Sequence, residues 1–142
     1  MWTAETVLVC ALSLLHRSPG SFPPIELVEM RPPYVSANAD GYVPLDDARI
    51  YLVTTSPAFD RASRALYKCG DVNALRKIAS VLVHEEWHVR HGSDEHGAYI
   101  AQLSTLHYLG AGPGNPLYTE VTRSMKVALG RSREQAPRLS SR

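Results

Sequence analysis

The chain has 142 residues, of which 44% are hydrophobic, so it is long enough for one compact domain with one core. Its 15 lysines and arginines nearly balance 14 aspartates and glutamates, which argues against nucleic acid or an anionic membrane as a partner. The basic residues 131–142, in which four arginines lie among Ser, Gln and Pro, predict a disordered tail after a domain of residues 1–130. The composition leaves the oligomeric state open.

The two cysteines, Cys10 and Cys69, lie far apart, and neither belongs to a CxxC pair. We expect two buried thiols in a reducing compartment, with a single disulfide as the alternative. The apolar run from Val7 to Leu15 has neither the preceding basic residues nor the cleavage site of a signal peptide. It therefore predicts a buried helix in a cytoplasmic protein.

The first half of the chain predicts one helix and a small sheet. Residues 3–17 are good helix formers that end at a cluster of Ser, Pro and Gly. Strands are expected over residues 25–30, residues 42–45 and residues 49–55, the last being rich in β-branched and aromatic side chains. About three strands follow from these patterns, in an order that the sequence does not give.

The second half predicts three helices. Asp71 can cap a helix whose apolar residues recur at a spacing of three to four and which Gly92 ends. Ser93 can cap the next helix, which runs to Gly110, and a last helix is expected over residues 117–129. The expected fold is α+β, with a small mixed sheet packed on the N-terminal helix and on the two helices after Asp71.

The segment His84-Glu85-Glu86-Trp87-His88 matches the pattern HExxH within a predicted helix. Residues four apart share one helix face, so two imidazole nitrogens can reach one zinc ion at about 2.0 to 2.1 Å. Glu85 lies next to the first ligand, where its carboxylate can take a proton from water on the zinc and pass it to a leaving amine. The residue types and their spacing indicate zinc-dependent hydrolysis of peptide bonds.

A catalytic zinc site usually has three protein ligands, and four candidates for the third are His91, Asp94, Glu95 and His96. The metzincin pattern HExxHxxGxxH is disfavoured, because it needs Gly at position 91 and His at position 94. Glu95 follows a glycine break at the start of a helix, from which its carboxylate could swing back over the first helix.

The segment HEEWHVRHGSDEHGAY resembles the active-site helix and glutamate helix of gluzincins, and the short chain is similar to the single-domain minigluzincins. The resemblance covers residues 71–110 with identifiable motifs. It implies a zincin-like metallopeptidase domain with one Zn²⁺ per chain and a peptide or protein substrate. It also implies that His84, His88 and Glu95 are the zinc ligands and that Glu85 is the general base and acid.

The chain departs from the gluzincin pattern at Tyr99. Many gluzincins have ExxxD in the glutamate helix, and its second acid orients a zinc-binding histidine, but here the fifth position is tyrosine. Asp94, Gln102 or a backbone carbonyl could serve instead. Tyr99, His96 and His107 are candidates for stabilising the oxyanion of the tetrahedral intermediate, and we choose Tyr99 among them.

Other interpretations remain open. The resemblance implies that an edge strand at residues 49–54 pairs with the substrate, and an ordinary sheet strand is the alternative. The scaffold could also hold a closed, structural zinc in a regulatory or interaction protein that cleaves nothing. A metal-free α+β domain with incidental histidines is a third interpretation.

Overall fold

The computed structural model describes residues 1–139. Within them the chain forms an α+β fold of five α-helices and one three-stranded mixed sheet, which confirms the predicted fold class. The helices are α1 (Ala4–Leu14), α2 (Pro57–Ser63), α3 (Val72–His91), α4 (Glu95–Tyr108) and α5 (Pro116–Leu139). The strands are β1 (Ile25–Val28), β2 (Gly41–Tyr42) and β3 (Ile50–Val53).

The sheet has the order β1-β3-β2, so the best-predicted strand lies in its centre. Strand β1 runs parallel to β3, and β2 runs antiparallel to it, with Tyr42 opposite Tyr51. The expectation that residues 49–54 form an edge strand for the substrate is therefore wrong, because both edges of β3 are occupied. The two edge strands of the sheet are β1 and the two-residue strand β2.

The main core lies between β3 and the helices α1, α2 and α3. Ile50 of β3 and Leu82 of α3 are completely buried in it. Helix α3 begins where the sequence predicts, because the Asp71 carboxylate accepts a hydrogen bond from the backbone N–H of Ala74. It ends at Gly92, whose φ of 75° lies in the left-handed region. This rigid helix carries the HExxH residues.

Helix α4 packs closely on α3 at one glycine. A Cβ atom on Gly97 would lie 2.6 Å from two carbons of the Trp87 indole, so a larger side chain does not fit between the helices. The N-cap of α4 is Asp94, which accepts a hydrogen bond from the Gly97 N–H, and the prediction of Ser93 as the cap is wrong by one residue.

Two helices differ from the sequence prediction. Helix α2 has no counterpart in the sequence prediction, which places no element between residues 55 and 71, and Pro57 occupies the first turn of this helix. Helix α5 continues to Leu139, well beyond the expected end at Leu129. The predicted tail at residues 131–142 thus falls partly on α5, and residues 140–142 lie outside the described residues.

The two cysteines form a disulfide, so the expectation of two thiols is wrong. Cys10 is buried in α1, and Cys69 lies exposed in the loop that precedes α3. Disulfides persist mainly in oxidising compartments, so the cytoplasmic location loses the support of free thiols and stays a prediction. Within residues 1–139 we find no helix that has both the length and the hydropathy needed to cross a membrane.

Candidate metal centre

Helix α3 presents His84 and His88 on one face, as the spacing of four residues predicts. The ring centroids lie 5.0 Å apart, with an angle of 63° between the ring planes. Both side chains are largely buried, His84 at 10% exposure and His88 at 16%. Their Nε2 atoms point to the same place, which is the carboxylate of Glu95.

Glu95 closes this group from the first residue of α4. Its Oε1 atom lies 2.8 Å from Nε2 of His84 and 3.0 Å from Nε2 of His88. Two ligand atoms on a tetrahedral zinc with bonds of 2.0 to 2.1 Å are about 3.3 Å apart, so the carboxylate would move outward by a few tenths of an ångström to exchange these hydrogen bonds for a zinc ion. Of the four candidates for a third ligand, Glu95 is the one that contacts both histidines.

The other candidates have different contacts. The ring of His91 stacks on Trp87, with centroids 4.0 Å apart. Asp94 caps α4, and His96 is an exposed residue that does not line the cleft at the histidines. The turn at Gly92 explains this separation, because it directs the side chain of Glu95 back toward α3. The side chains of Asp94 and His96 point in other directions.

The outer nitrogens of both rings have hydrogen-bond partners. Nδ1 of His88 lies 2.8 Å from the carbonyl oxygen of Gly92, and Nδ1 of His84 lies 2.9 Å from Oε1 of Gln102. A carbonyl oxygen can only accept, so Nδ1 of His88 donates, which leaves Nε2 as the ring nitrogen that can bind a cation. Metal-binding histidines characteristically donate their second N–H in this way. Gln102 and a backbone carbonyl thus occupy the positions that the sequence left open.

The electrostatics of this group favour a bound positive charge. Burial opposes ionisation of Glu95, but hydrogen bonds from His84 and His88 outweigh it and lower the pKa of Glu95 to about 2. Burial likewise opposes a charge on His88, but the hydrogen bonds with Glu95 and the Gly92 carbonyl raise its pKa to about 9. Two largely buried imidazoles and one half-buried carboxylate form a donor set that suits zinc.

Glu85 lies beside this group. Its Oε2 atom is 4.0 Å from Nε2 of His84, farther than Oε1 of Glu95. Burial, partly offset by the nearby histidines, raises the pKa of its carboxyl. Gly41 of β2 covers it, since a Cβ there would lie 3.3 Å from Cγ of Glu85. The ligand atoms of His84, Glu85 and His88 lie within 4.8 Å of one another, so these three could also hold an ion.

No family model, curated protein or solved structure matches the chain. The contacts within the site therefore carry the functional argument on their own.

A cleft with a volume of about 1130 Å³ opens over His84, His88 and Glu95. Its walls come from β2 with the loop after it, from α3 and α4, and from α5. Residues from each wall include Tyr42, Val43, Val81, Tyr99, Ser124 and Val127. The side chains of His84, Glu85, His88 and Glu95 are among its lining residues.

Tyr99 is the one oxyanion candidate at the site. Its ring stands edge-on to the His84 ring, with centroids 4.6 Å apart and an interplanar angle of 85°. Burial, followed by the charges of Glu95 and Glu85, raises its pKa to about 12, so its hydroxyl keeps the proton that it can donate. The other two candidates lie elsewhere: His96 is exposed, and the ring of His107 lies beside Gly112 at the far end of α4.

Proposed function

We propose that this protein is a zinc-dependent peptidase with a zincin-like arrangement, in which His84, His88 and Glu95 hold the metal and Glu85 is the general base. The observation that supports this most is the convergence of two Nε2 atoms and one carboxylate oxygen, from two helices, in the lining of a cleft. A second carboxylate, with a raised pKa, lies beside them without contacting both rings.

A zinc ion in this position would polarise a water molecule and the carbonyl of the scissile bond. Glu85 accepts the proton of the attacking water and delivers it to the leaving amine. Its raised pKa suits the first step, because a higher pKa makes the carboxylate a stronger base toward the proton of the water molecule. The Tyr99 hydroxyl donates a hydrogen bond to the carbonyl oxygen as negative charge develops there.

The free edge of β2 is the position for the substrate backbone. Val53 donates a hydrogen bond to the carbonyl oxygen of Asp40, and Tyr42 lies opposite Tyr51. Asp40 and Tyr42 are therefore the residues whose backbone groups face β3. Gly41 lies between them, so its N–H and C=O point away from β3. An extended peptide can add to that edge by backbone hydrogen bonds. The substrate is therefore expected to pair with β2 and not with the strand at residues 49–54.

Replacement of Glu85 by Gln tests the proposal. The variant keeps the shape of the side chain, so we expect zinc content and thermal stability close to those of the wild type. Cleavage of a peptide library, measured by mass spectrometry, should fall by about 10² to 10⁴-fold. Glu29→Gln, at an exposed position, is the matched control and should cleave as the wild type does. Undiminished cleavage by Glu85→Gln would exclude this residue as the base.

The second candidate is a regulatory or interaction protein with a structural zinc. It is favoured by one observation, which is that Glu85 lies near both histidines and could close the site as a fourth ligand. In that case Glu85→Gln would weaken zinc binding, and the wild-type protein would cleave no peptide. The two candidates therefore give opposite results for zinc affinity in the same variant.

A further inference from the structure

Behind the metal centre, His84 ends a buried chain of hydrogen bonds. Its Nδ1 lies 2.9 Å from Oε1 of Gln102, Nε2 of Gln102 donates to Oγ of Ser80 at 3.1 Å, and Oγ of Ser80 donates to the carbonyl oxygen of Lys77 at 2.8 Å. Ser80 has an exposure of 0%, and Gln102 has one of 4%. Bulk water is therefore not available to exchange for these partners.

The direction of each hydrogen bond in this chain follows from its first member. The carbonyl oxygen of Lys77 has no hydrogen, so the single hydroxyl hydrogen of Ser80 must point at it. Ser80 can then only accept from Gln102, which places the amide NH₂ of Gln102 toward Ser80 and its oxygen toward His84. Nδ1 of His84 must carry a hydrogen, so Nε2 is the ring nitrogen that is left to bind a metal ion.

The opposite orientation of the amide leaves a contact unsatisfied. If the Gln102 oxygen faced Ser80, the hydroxyl hydrogen would have to serve both this oxygen and the carbonyl of Lys77. One of the two buried contacts would then bring lone pairs together, which is unfavourable where no water can intervene. Ser80 therefore determines which end of the Gln102 amide faces the metal-binding ring.

We propose that Gln102 and Ser80 are positioning residues that hold His84 in the form with Nε2 free for the metal. Both side chains are neutral, so they orient His84 without adding negative charge to that of Glu85 and Glu95. The role of this orientation in metal binding rests on the proposed function. The orientation of the Gln102 amide does not, since the hydrogen bonds that determine it are present in the metal-free protein.

Zinc affinity, measured by competition with a chromophoric chelator, tests the role of each group. Gln102→Met removes the acceptor at similar volume, and we expect affinity to fall by about 10 to 100-fold. Gln102→Glu keeps an acceptor for Nδ1, and its affinity should stay within a few-fold of the wild type. Equal losses in both variants would mean that the position serves packing alone and would overturn the proposal.

Ser80→Ala frees the amide to turn, so its zinc affinity should also fall, by less than that of Gln102→Met. The matched control is Ser104→Ala, at an exposed position of α4, which should bind zinc as the wild type does. If Ser80→Ala and Ser104→Ala bind equally well, the serine does not orient the amide, and the proposal fails.

Proton NMR of the metal-free protein separates this proposal from the proposed function. The NH₂ protons of Gln102 should show nuclear Overhauser contacts with the Ser80 side chain and not with the His84 ring. The opposite pattern would overturn the hydrogen-bond chain even if the protein binds zinc and cleaves peptides. Conversely, a protein with the expected contacts that binds no zinc would contradict the proposed function and leave the chain intact.

Discussion

Gly97 of α4 lies directly against the indole ring of Trp87 in α3, with room for a hydrogen atom but not for a methyl group. This contact determines how closely α4 approaches α3 near its first residue, Glu95. Since Oε1 of Glu95 must lie about 3 Å from both histidines, a small displacement of α4 is enough to separate them. Gly97 thereby influences where Glu95 lies relative to the two histidines.

Gly97→Ala should weaken both the fold and the metal site. The added methyl group would lie 2.6 Å from the indole carbons, and overpacking of this kind typically costs about 1 to 3 kcal/mol. Chemical denaturation gives the loss of stability, and chelator competition gives the loss of zinc affinity. Gly130→Ala is the control, because a Cβ there meets nothing within 4 Å and alanine favours a helix. A Gly97→Ala protein as stable as the wild type would contradict the close approach.

The metal-free protein should lose stability on either side of mildly acidic pH. The pKa of Glu95 is lowered from 4.5 to about 2, so its contribution is complete above pH 4.5 and is lost as pH falls toward 2. The pKa of His88 is raised from 6.5 to about 9, so its contribution is complete below pH 6.5 and is lost as pH rises toward 9. Glu85, with its raised pKa, acts in the same direction as His88.

Thermal unfolding in the presence of a chelator, measured from pH 2 to pH 9, tests this expectation. Glu95→Gln removes the charge that couples to both rings, so its profile should be flatter at both ends. A wild-type stability that increases steadily from pH 5 to pH 9 would contradict the described contacts between Glu95 and the histidines.

Reduction of the disulfide should destabilise the protein. The bond joins Cys10 to Cys69 across 59 residues, and closing a loop of this size is worth about 4 kcal/mol by the chain-entropy estimate. Urea denaturation with and without a reductant measures the difference. A Cys10→Ser, Cys69→Ser double variant should resemble the reduced protein and should not respond to the reductant. Equal stability under both conditions in the wild type would show that the bond does not form.

The helices of the site could be predicted because their signals are local. An N-cap at Asp71, a regular apolar spacing and a stop at Gly92 together delimit α3, and HExxH lies within it. The order of the strands could not be predicted, since a local pattern does not tell which strands pair with β3. Nor does cysteine spacing alone distinguish a disulfide from two thiols.

Both side chains of the buried hydrogen-bond chain have a signal in the sequence, although only Gln102 is predicted from it, as one of three candidates for orienting a histidine. Ser80 is a polar residue within the apolar face of α3, four residues before His84. Gln102 follows Glu95 and Tyr99 at the spacing of one helix face, so it lies on the side of α4 that meets α3. A polar side chain on a face that must be buried needs a partner, and each of these two residues is a partner of the other.

The third ligand can be identified by single substitutions. Glu95→Ala removes the oxygen that contacts both rings, so zinc affinity should fall by more than about 100-fold, beyond the loss typical of residues that only orient a ligand. His96→Ala, at the next position and exposed, should keep the affinity of the wild type. If the two variants bind zinc alike, Glu95 is not a ligand.

The most direct measurement is the metal content of the purified protein, determined by mass spectrometry after exhaustive dialysis against zinc-containing and then metal-free buffer. We expect one zinc ion per chain in the wild type and none in a His84→Ala, His88→Ala double variant that remains folded. A wild-type protein that retains no zinc, or a double variant that retains as much as the wild type, would contradict the metal centre.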